Sequence, residues 1–412
     1  MARSPASGSV SGGADVAPGT PRLVGVVWAL LALNTLGYTS VDLIFPLPRQ
    51  LAQMITMGAL VVAFGLALAL NPRVRVRPSA YLLLLSLLVV VSLASSMQLE
   101  SGLGSLFRCF RLTAFVATLW LISSWWRGDL RFARYHLYTL GAVLLTVAAG
   151  LVISPGSALS GPDGRLVGAI WPIWPTQVGQ YGAVATGLAI VLWLTRSIDG
   201  RSAAVIAVPA VSLLLLSHTR TALAGLIAGL AVAGLSLAFA NARARRAVAA
   251  AALGAVVVAA FGHVVREWLR RGQDAEALSN LTGRQKVWNL LLAEERTVGE
   301  QVLGVGLTDK SFAGLPIDSS WLAAYHEQGW VGIAIVVAML GSLIITAALR
   351  PPSPERACAI FLVLYCVVAS YTEVGLGDAS LYLLHLAVAA SLLVRGDAEH
   401  EQATTPPRWS PG

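Results

Sequence analysis

Charge is scarce in this chain. Only 12% of its 412 residues are Asp, Glu, Lys or Arg, while 56% are hydrophobic and the mean hydropathy is +0.71. Such a composition excludes an ordinary soluble domain. It points to a polytopic membrane protein whose first partner is the lipid bilayer. Acidic residues are scarcer than basic ones, 21 against 29, which gives a net charge of +8. In a soluble protein that surplus would suggest nucleic acid. Here the arginines sit in short loops between apolar runs, as the positive-inside bias requires, so nucleic acid is excluded. Cysteine is nearly absent. Cys109, Cys358 and Cys366 each fall inside an apolar run, which suits small buried hydrophobes better than a disulfide or a metal site. There is no Gly-x-x-x-x-Gly-Lys-Ser/Thr, no His-Glu-x-x-His and no Gly-x-Ser-x-Gly. Leu303-Gly-Val-Gly306 lacks the third glycine of a dinucleotide site and reads as a turn. No cofactor and no metal are expected.

What remains is a succession of apolar runs. Residues 1–22, rich in Ser, Gly, Ala and Pro, read as a disordered cytoplasmic tail. No cleavage site follows the first apolar run, so it is read as an uncleaved helix. Runs long enough to span, or nearly so, lie at Leu23–Thr39, Leu51–Leu70, Ala80–Met97, Leu106–Ser124, Tyr135–Ile153 and Gln177–Leu194. The second set is Ala203–Ser217, Thr221–Ala240, Ala247–Val264, Trp330–Leu349, Ala357–Thr372 and Ala379–Val394. The expected fold is an all-α polytopic membrane protein of about twelve transmembrane helices. One large extracytoplasmic loop would carry short helices. Helices one to nine would occupy 23–264, the loop 265–329 and helices ten to twelve 330–394, with a cytoplasmic tail at 395–412.

The loops alternate in charge. One set carries Arg22, then Arg73, Arg75 and Arg77, then Arg127, Arg131 and Arg134, Arg196 and Arg201, Arg243, Arg245 and Arg246, Arg350 and Arg356, and Arg395. The other set of short loops carries only Arg49, Arg108, Arg165 and Arg220 near helix ends. The Arg-rich set is cytoplasmic by the positive-inside rule. Both termini are then inside a multi-pass cytoplasmic membrane protein, and the polar segment His263–Gln328 is outside. There is no ATP on that face, so any transfer chemistry needs a substrate activated elsewhere and delivered in the membrane.

The polar segment holds the densest set of candidates. Thr282-Gly-Arg-Gln285 fits a capping box, which predicts a helix running through Trp288 to about Glu295. Arg284 in its first turn either lies on the surface or meets an anion there, since free N–H groups and the helix dipole favour negative charge. Asp318 and His326 are eight residues apart and would share a face if a helix begins before Asp318. Asp318 reads equally well as an N-cap, with Ser319 and Ser320 as further cap candidates. Arg220 lies between two apolar runs and either snorkels or faces a cavity. Arg108 and Arg111, one turn apart, offer the same two readings. Gln177 and Gln180, after the two Trp-Pro pairs of Trp171–Pro175, suit either sugar hydroxyls or neighbouring backbone. Glu373 and Asp378 make the last outer loop acidic and read as solvated.

In order and spacing, several motifs resemble the O-antigen ligase and O-antigen polymerase superfamily of membrane glycosyltransferases. Leu214-Leu-Leu-Ser-His-Thr-Arg220-Thr-Ala-Leu-Ala-Gly-Leu is similar to its Ser-Arg-x-Ala-hydrophobic-Gly motif. Thr282-Gly-Arg284 with Trp288 resembles its loop Thr-Gly-Arg and Trp, and Leu303-Gly-Val-Gly306 its Gly-hydrophobic-Gly. The stretch Gly168 to Tyr181 resembles its Pro-containing approach to a helix. The resemblance implies transfer of a glycan from a polyprenyl diphosphate donor to the hydroxyl of a glycan or lipid acceptor. It implies that Arg220 and Arg284 bind the diphosphate. Where the family has His-Asn before an aromatic and Leu, this chain has Asp318-Ser319-Ser320-Trp321-Leu322, so Asp318 takes the place of a His that acts on the acceptor. The expected catalytic set is Asp318, Arg220 and Arg284. The expected substrate-binding set is Arg108, Arg111, Gln177, Tyr181, Trp288 and His326. A transporter or flippase of an anionic lipid-linked substrate is the alternative, and paired broken helices near the midplane would favour it.

Charge alternation yields a topological prediction. In intact cells, a cysteine at Lys310 should react with a membrane-impermeant thiol reagent and one at Arg245 should not. Equal labelling of both would overturn the orientation.

Overall fold

A computed structural model describes residues 21–37, 43–97, 102–239, 241–260, 284–308 and 310–395. A helix lies over each of the twelve apolar runs: α1 (Arg22–Thr35), α2 (Arg49–Leu70), α3 (Ala80–Met97), α4 (Gly102–Ile122), α5 (Arg131–Ile153), α7 (Pro175–Leu194), α8 (Gly200–Leu216), α9 (Arg220–Ala238), α10 (Ala242–Ala260), α13 (Ser320–Ala348), α14 (Pro354–Ala369) and α15 (Leu381–Leu392). The short α6 (Pro155–Ala158) joins α5 to α7. The polar segment forms α11 (Arg284–Ala293), α12 (Val298–Leu303) and a hairpin of β1 (Ser311–Phe312) and β2 (Leu315–Pro316). Positive φ at Ala313 and Gly314 supplies the tight turn between the two strands. The proposed N-cap Thr282 lies outside the described residues.

Seven of the described helices are long and apolar enough to cross a membrane: α2, α3, α5, α7, α9, α13 and the stretch Gly104–Trp125 that contains most of α4. α1, α8 and α15 are apolar but shorter. Their outer faces carry exposed stripes, such as Leu83, Leu87 and Val90 on α3, opposite the buried Leu82, Leu85 and Leu88. Contiguous apolar surface of this kind is the ordinary exterior of a membrane protein, because lipid tails are as apolar as leucine.

Two helices form the centre. Along its most apolar stretch α7 is 83% buried, and every residue of α15 is buried. A helix apolar all round needs neighbours all round. α7 packs on α5, α8, α9 and α14, and α15 packs on α5 and α14. Small residues allow the approach. Gly187 of α7 and Gly229 of α9 both sit against the Phe361 ring of α14, and Gly225 sits against Tyr365.

α13 departs from expectation. The apolar run predicts a span from Trp330, but the helix begins at Ser320 and breaks at Gly329, where φ is 63° and ψ −162°. The residues before the break read as loop because they are polar, yet His326, Glu327 and Gln328 are buried. The break frees carbonyl groups one turn earlier. Val305 N–H donates to His326 O (2.8 Å) and Gly306 N–H to Glu327 O (3.0 Å). Gly304, at φ 76°, ends α12 in backbone contact with Gly329, so neither glycine has room for a side chain.

The Gly187 contact is testable. Gly187→Ala should cost about 1–3 kcal/mol through overpacking against Phe361. Thermal unfolding in detergent should show a lowered midpoint for it and none for Gly58→Ala, whose position faces open space.

Candidate functional site

α4 supplies two arginines one turn apart. Arg108 reaches two buried carboxylates: Nη1 lies 2.9 Å from Glu327 Oε1 and Nη2 2.6 Å from Asp378 Oδ2. Asp378 also pairs with Lys310 Nζ at 3.3 Å, and its Oδ1 accepts from Ala379 N–H. Glu327 accepts from Thr308 N–H at 3.0 Å. Burial would raise the Asp378 carboxyl, but Lys310, Arg108 and Arg111 outweigh it and hold the group below the usual carboxylate range. The expectation that Asp378 and Glu373 are solvated is therefore overturned, because both have cationic neighbours and Asp378 is fully buried.

Arg111 is held differently. Its Nη2 donates to Asn34 O (2.8 Å) and its Nε to Asn34 Oδ1 (3.2 Å), both neutral acceptors near the C-terminus of α1. A cation suits that end of a helix. Among the described residues no carboxylate forms an ion pair with it, and its charge acts on Asp378 only at longer range.

The start of α7 contributes the opposite wall. Pro175 occupies the first helical position, where a missing N–H costs nothing. Gln177 Oε1 accepts from Trp174 N–H at 3.2 Å. Gln177, Gln180 and Tyr181 then fall on one face by helical spacing. Tyr181 is buried and its hydroxyl has no partner.

These elements enclose a cavity of about 850 Å³. Its lining includes Arg49, Arg108, Arg111 and Lys310 as cations, Asp318, Glu373 and Asp378 as anions, and Gln177, Gln180 and Tyr181. The structure thus brings together five residues expected from the sequence: Arg108, Arg111, Gln177, Tyr181 and Asp318.

Others lie behind or away from this wall. Arg284 opens α11, as expected, but its immediate anion is internal: Nε donates to Asp318 Oδ2 at 3.2 Å, and Nη2 lies 3.9 Å from Glu373 Oε1. Asp318 precedes α13 and does not belong to it. The N-cap position is Ser319, and it makes no side-chain cap bond. Ser320 ties the helix to the last loop through Glu373 O. Asp318 and His326 therefore share no helical face. His326 turns to Arg296 (2.8 Å) and the Phe312 ring, and it does not line the cavity. Trp288 packs edge-on against Tyr371 and lines no part of the cavity, which makes it a clamp between α11 and the last loop. Arg220 begins α9, where Thr221 and Thr372 hydroxyls meet at 2.5 Å, and it too is not among the lining residues.

Sequence reading gave no site role to Lys310, Glu327, Glu373 or Asp378. An acidic residue this close to a long apolar stretch was the available signal for Glu327, since such a group needs a partner. Glu373 also lines the cavity, and its carboxyl is shifted in the opposite direction to that of Asp378. Burial pushes it up to about 7, against the pull of Arg284 and Arg165. Among the described residues no group of three or more His, Cys, Asp or Glu could hold a metal ion. No family model matches the chain, and no curated protein matches it.

The raised Glu373 sets a sign for pH dependence. Between a carboxylate's ordinary value and about 7 the folded state holds a proton that the unfolded chain has lost. Stability should therefore fall as pH rises across that window and level off above it. Denaturation from pH 5 to 8 should show this slope reduced in Glu373→Gln.

Proposed function

We propose that the chain is a membrane glycosyltransferase of the O-antigen ligase and polymerase type. It moves a glycan from a polyprenyl diphosphate to an acceptor hydroxyl at the outer face of the cytoplasmic membrane, and it contributes to cell-surface polysaccharide. In this reading about twelve helices cross the bilayer and both termini are cytoplasmic. The observation that carries it is Arg111, which forms no ion pair with a carboxylate among the described residues, in a cavity also lined by Arg49, Arg108 and Lys310.

In this reading Arg111 receives the diphosphate, since a guanidinium fork matches phosphate oxygens, while Arg108 stays on its two carboxylates. The acceptor hydroxyl attacks the anomeric carbon. A new glycosidic bond forms, the bond from that carbon to the diphosphate oxygen breaks, and the diphosphate leaves with the electron pair. Fixed cations lower the barrier by meeting that charge. The proton passes to a carboxylate. Asp318 stands in the family's His position, while Glu373, pushed up to about 7, is matched to a proton exchanged near neutrality. Arg284 positions both. The resemblance gives the phosphate-binding role to Arg220 and Arg284, neither of which is among the lining residues, so this reading moves that role to Arg111 in the cavity. A transporter is less favoured: among the described membrane-length helices only α13 has a non-helical break, not a pair.

Replacing Arg111 with Ala should lower glycan transfer from a lipid-linked donor about a hundredfold in membranes that still contain the protein. Lys should rescue poorly. Deleting the gene should make a lipid-linked glycan accumulate. Near-normal transfer by Arg111→Ala, with no accumulation in the deletion strain, would rule the reading out.

A further inference from the structure

A closed chain of hydrogen bonds runs from α1 through the centre of the molecule to the cavity. Trp28 Nε1 donates to His136 Nδ1 at 3.2 Å. His136 Nε2 meets His385 Nδ1 at 2.7 Å. His385 Nε2 lies 3.2 Å from Gln180 Nε2, so the orientation argued below turns this amide over. Trp28, His136 and His385 are fully buried, and Gln180 is 7% exposed. Gln180 lines the cavity.

Hydrogen-bond bookkeeping settles every proton in this chain. An indole N–H only donates, so His136 Nδ1 must accept. A neutral imidazole that accepts at Nδ1 carries its proton on Nε2. His136 Nε2–H then donates to His385 Nδ1, which must also accept. His385 is therefore a second Nε2–H tautomer, and it donates to Gln180. Neither ring can be an imidazolium, because each must accept at Nδ1. The last partner must be an acceptor, so Gln180 turns its oxygen toward His385 and its NH₂ toward the cavity. Nitrogen and oxygen of an amide are distinguished only by such a network. The opposite assignment would point two N–H groups at each other between Trp28 and His136.

Gln177 is oriented the same way by another route, because Trp174 N–H occupies its oxygen. α7 thus offers two amide donors, one turn apart, to the cavity that Arg108 and Arg111 also line. We propose that the Trp28–His136–His385 chain is a positioning device. It locks Gln180 as a hydrogen-bond donor and makes it a specificity determinant for an oxyanion in the cavity. This rests on the reading of the cavity as the site for a lipid-linked diphosphate.

The test separates the device from its ligand. Solid-state NMR of ring-¹⁵N-histidine protein in nanodiscs reads tautomers without any ligand, with His136→Asn and His385→Asn assigning the signals. Both rings should be neutral with the proton on Nε2. An imidazolium, or an Nδ1–H ring at either position, would overturn the chain. Binding of farnesyl diphosphate to the purified full chain reads the consequence. Gln180→Glu, which turns a carboxylate oxygen toward the ligand, should weaken binding by at least about tenfold. Gln180→Met should weaken it by a smaller factor. Trp28→Phe, remote from the ligand, should weaken it as well, because it frees both tautomers. Wild-type affinity in both Gln180 variants would refute the specificity role. Wild-type affinity in Trp28→Phe alone would refute the positioning role. If the wild-type protein does not bind the probe, the cavity reading falls, and the tautomers alone decide the orientation.

Discussion

Arg108 is the residue on which the candidate site depends. One guanidinium joins a carboxylate on α13 to a carboxylate in the loop before α15. Two buried acids would be costly so close together without it, and their mutual repulsion would open the cavity wall. Lys310 adds a second cation from the polar segment, so four separate stretches of chain meet at one charge cluster. Such a cluster contributes little net stability, because desolvation offsets most of the attraction. Its contribution is register. α4, α13, the last loop and the segment after α12 can meet in only one way that leaves no acid unpaired.

That arrangement divides the labour among the arginines. Arg108 is spent on structure, Arg284 orients Asp318 and Glu373, and Arg111 forms no ion pair with a carboxylate among the described residues. A cavity with every cation neutralised would repel nothing and attract little. One with all of them bare would destabilise the fold by self-repulsion. The structure lies between, with three acids and four basic residues in the lining. The Gln177 and Gln180 amides then supply direction without adding charge.

Much of this was legible in the sequence, and the reasons for the remainder are physical. Apolar runs set the twelve helix positions because hydrophobic length is a strong, local signal. Arg108, Arg111 and Gln177 were recognisable because polar groups at the ends of apolar helices are costly without a purpose. Glu373 and Asp378 were misread because acidity in a loop looks solvated until the fold buries it. The start of α13 was misplaced because Glu327 and Gln328 are polar, and only tertiary partners make a buried helix from such residues. His326 and Asp318 share no helical face because the helix begins at Ser320, after Asp318, and one backbone turn decides such an angle. The His136–His385 chain left no trace at all, since its members are far apart in sequence and each sits alone in an apolar run.

The stitching of residues 305–308 fixes an order of assembly. Leu307 N–H donates to Ser96 of α3, Ser105 of α4 donates to Leu307 O, and the N–H groups of Val305, Gly306 and Thr308 take acceptors on α13. During synthesis α3 and α4 emerge about two hundred residues before this segment, and α13 emerges after it. The segment must therefore wait, with its backbone hydrated, until α13 arrives and breaks at Gly329. The cavity wall is thus among the last parts of the molecule to close, and a chain stalled before Gly329 carries most of its helices but no site.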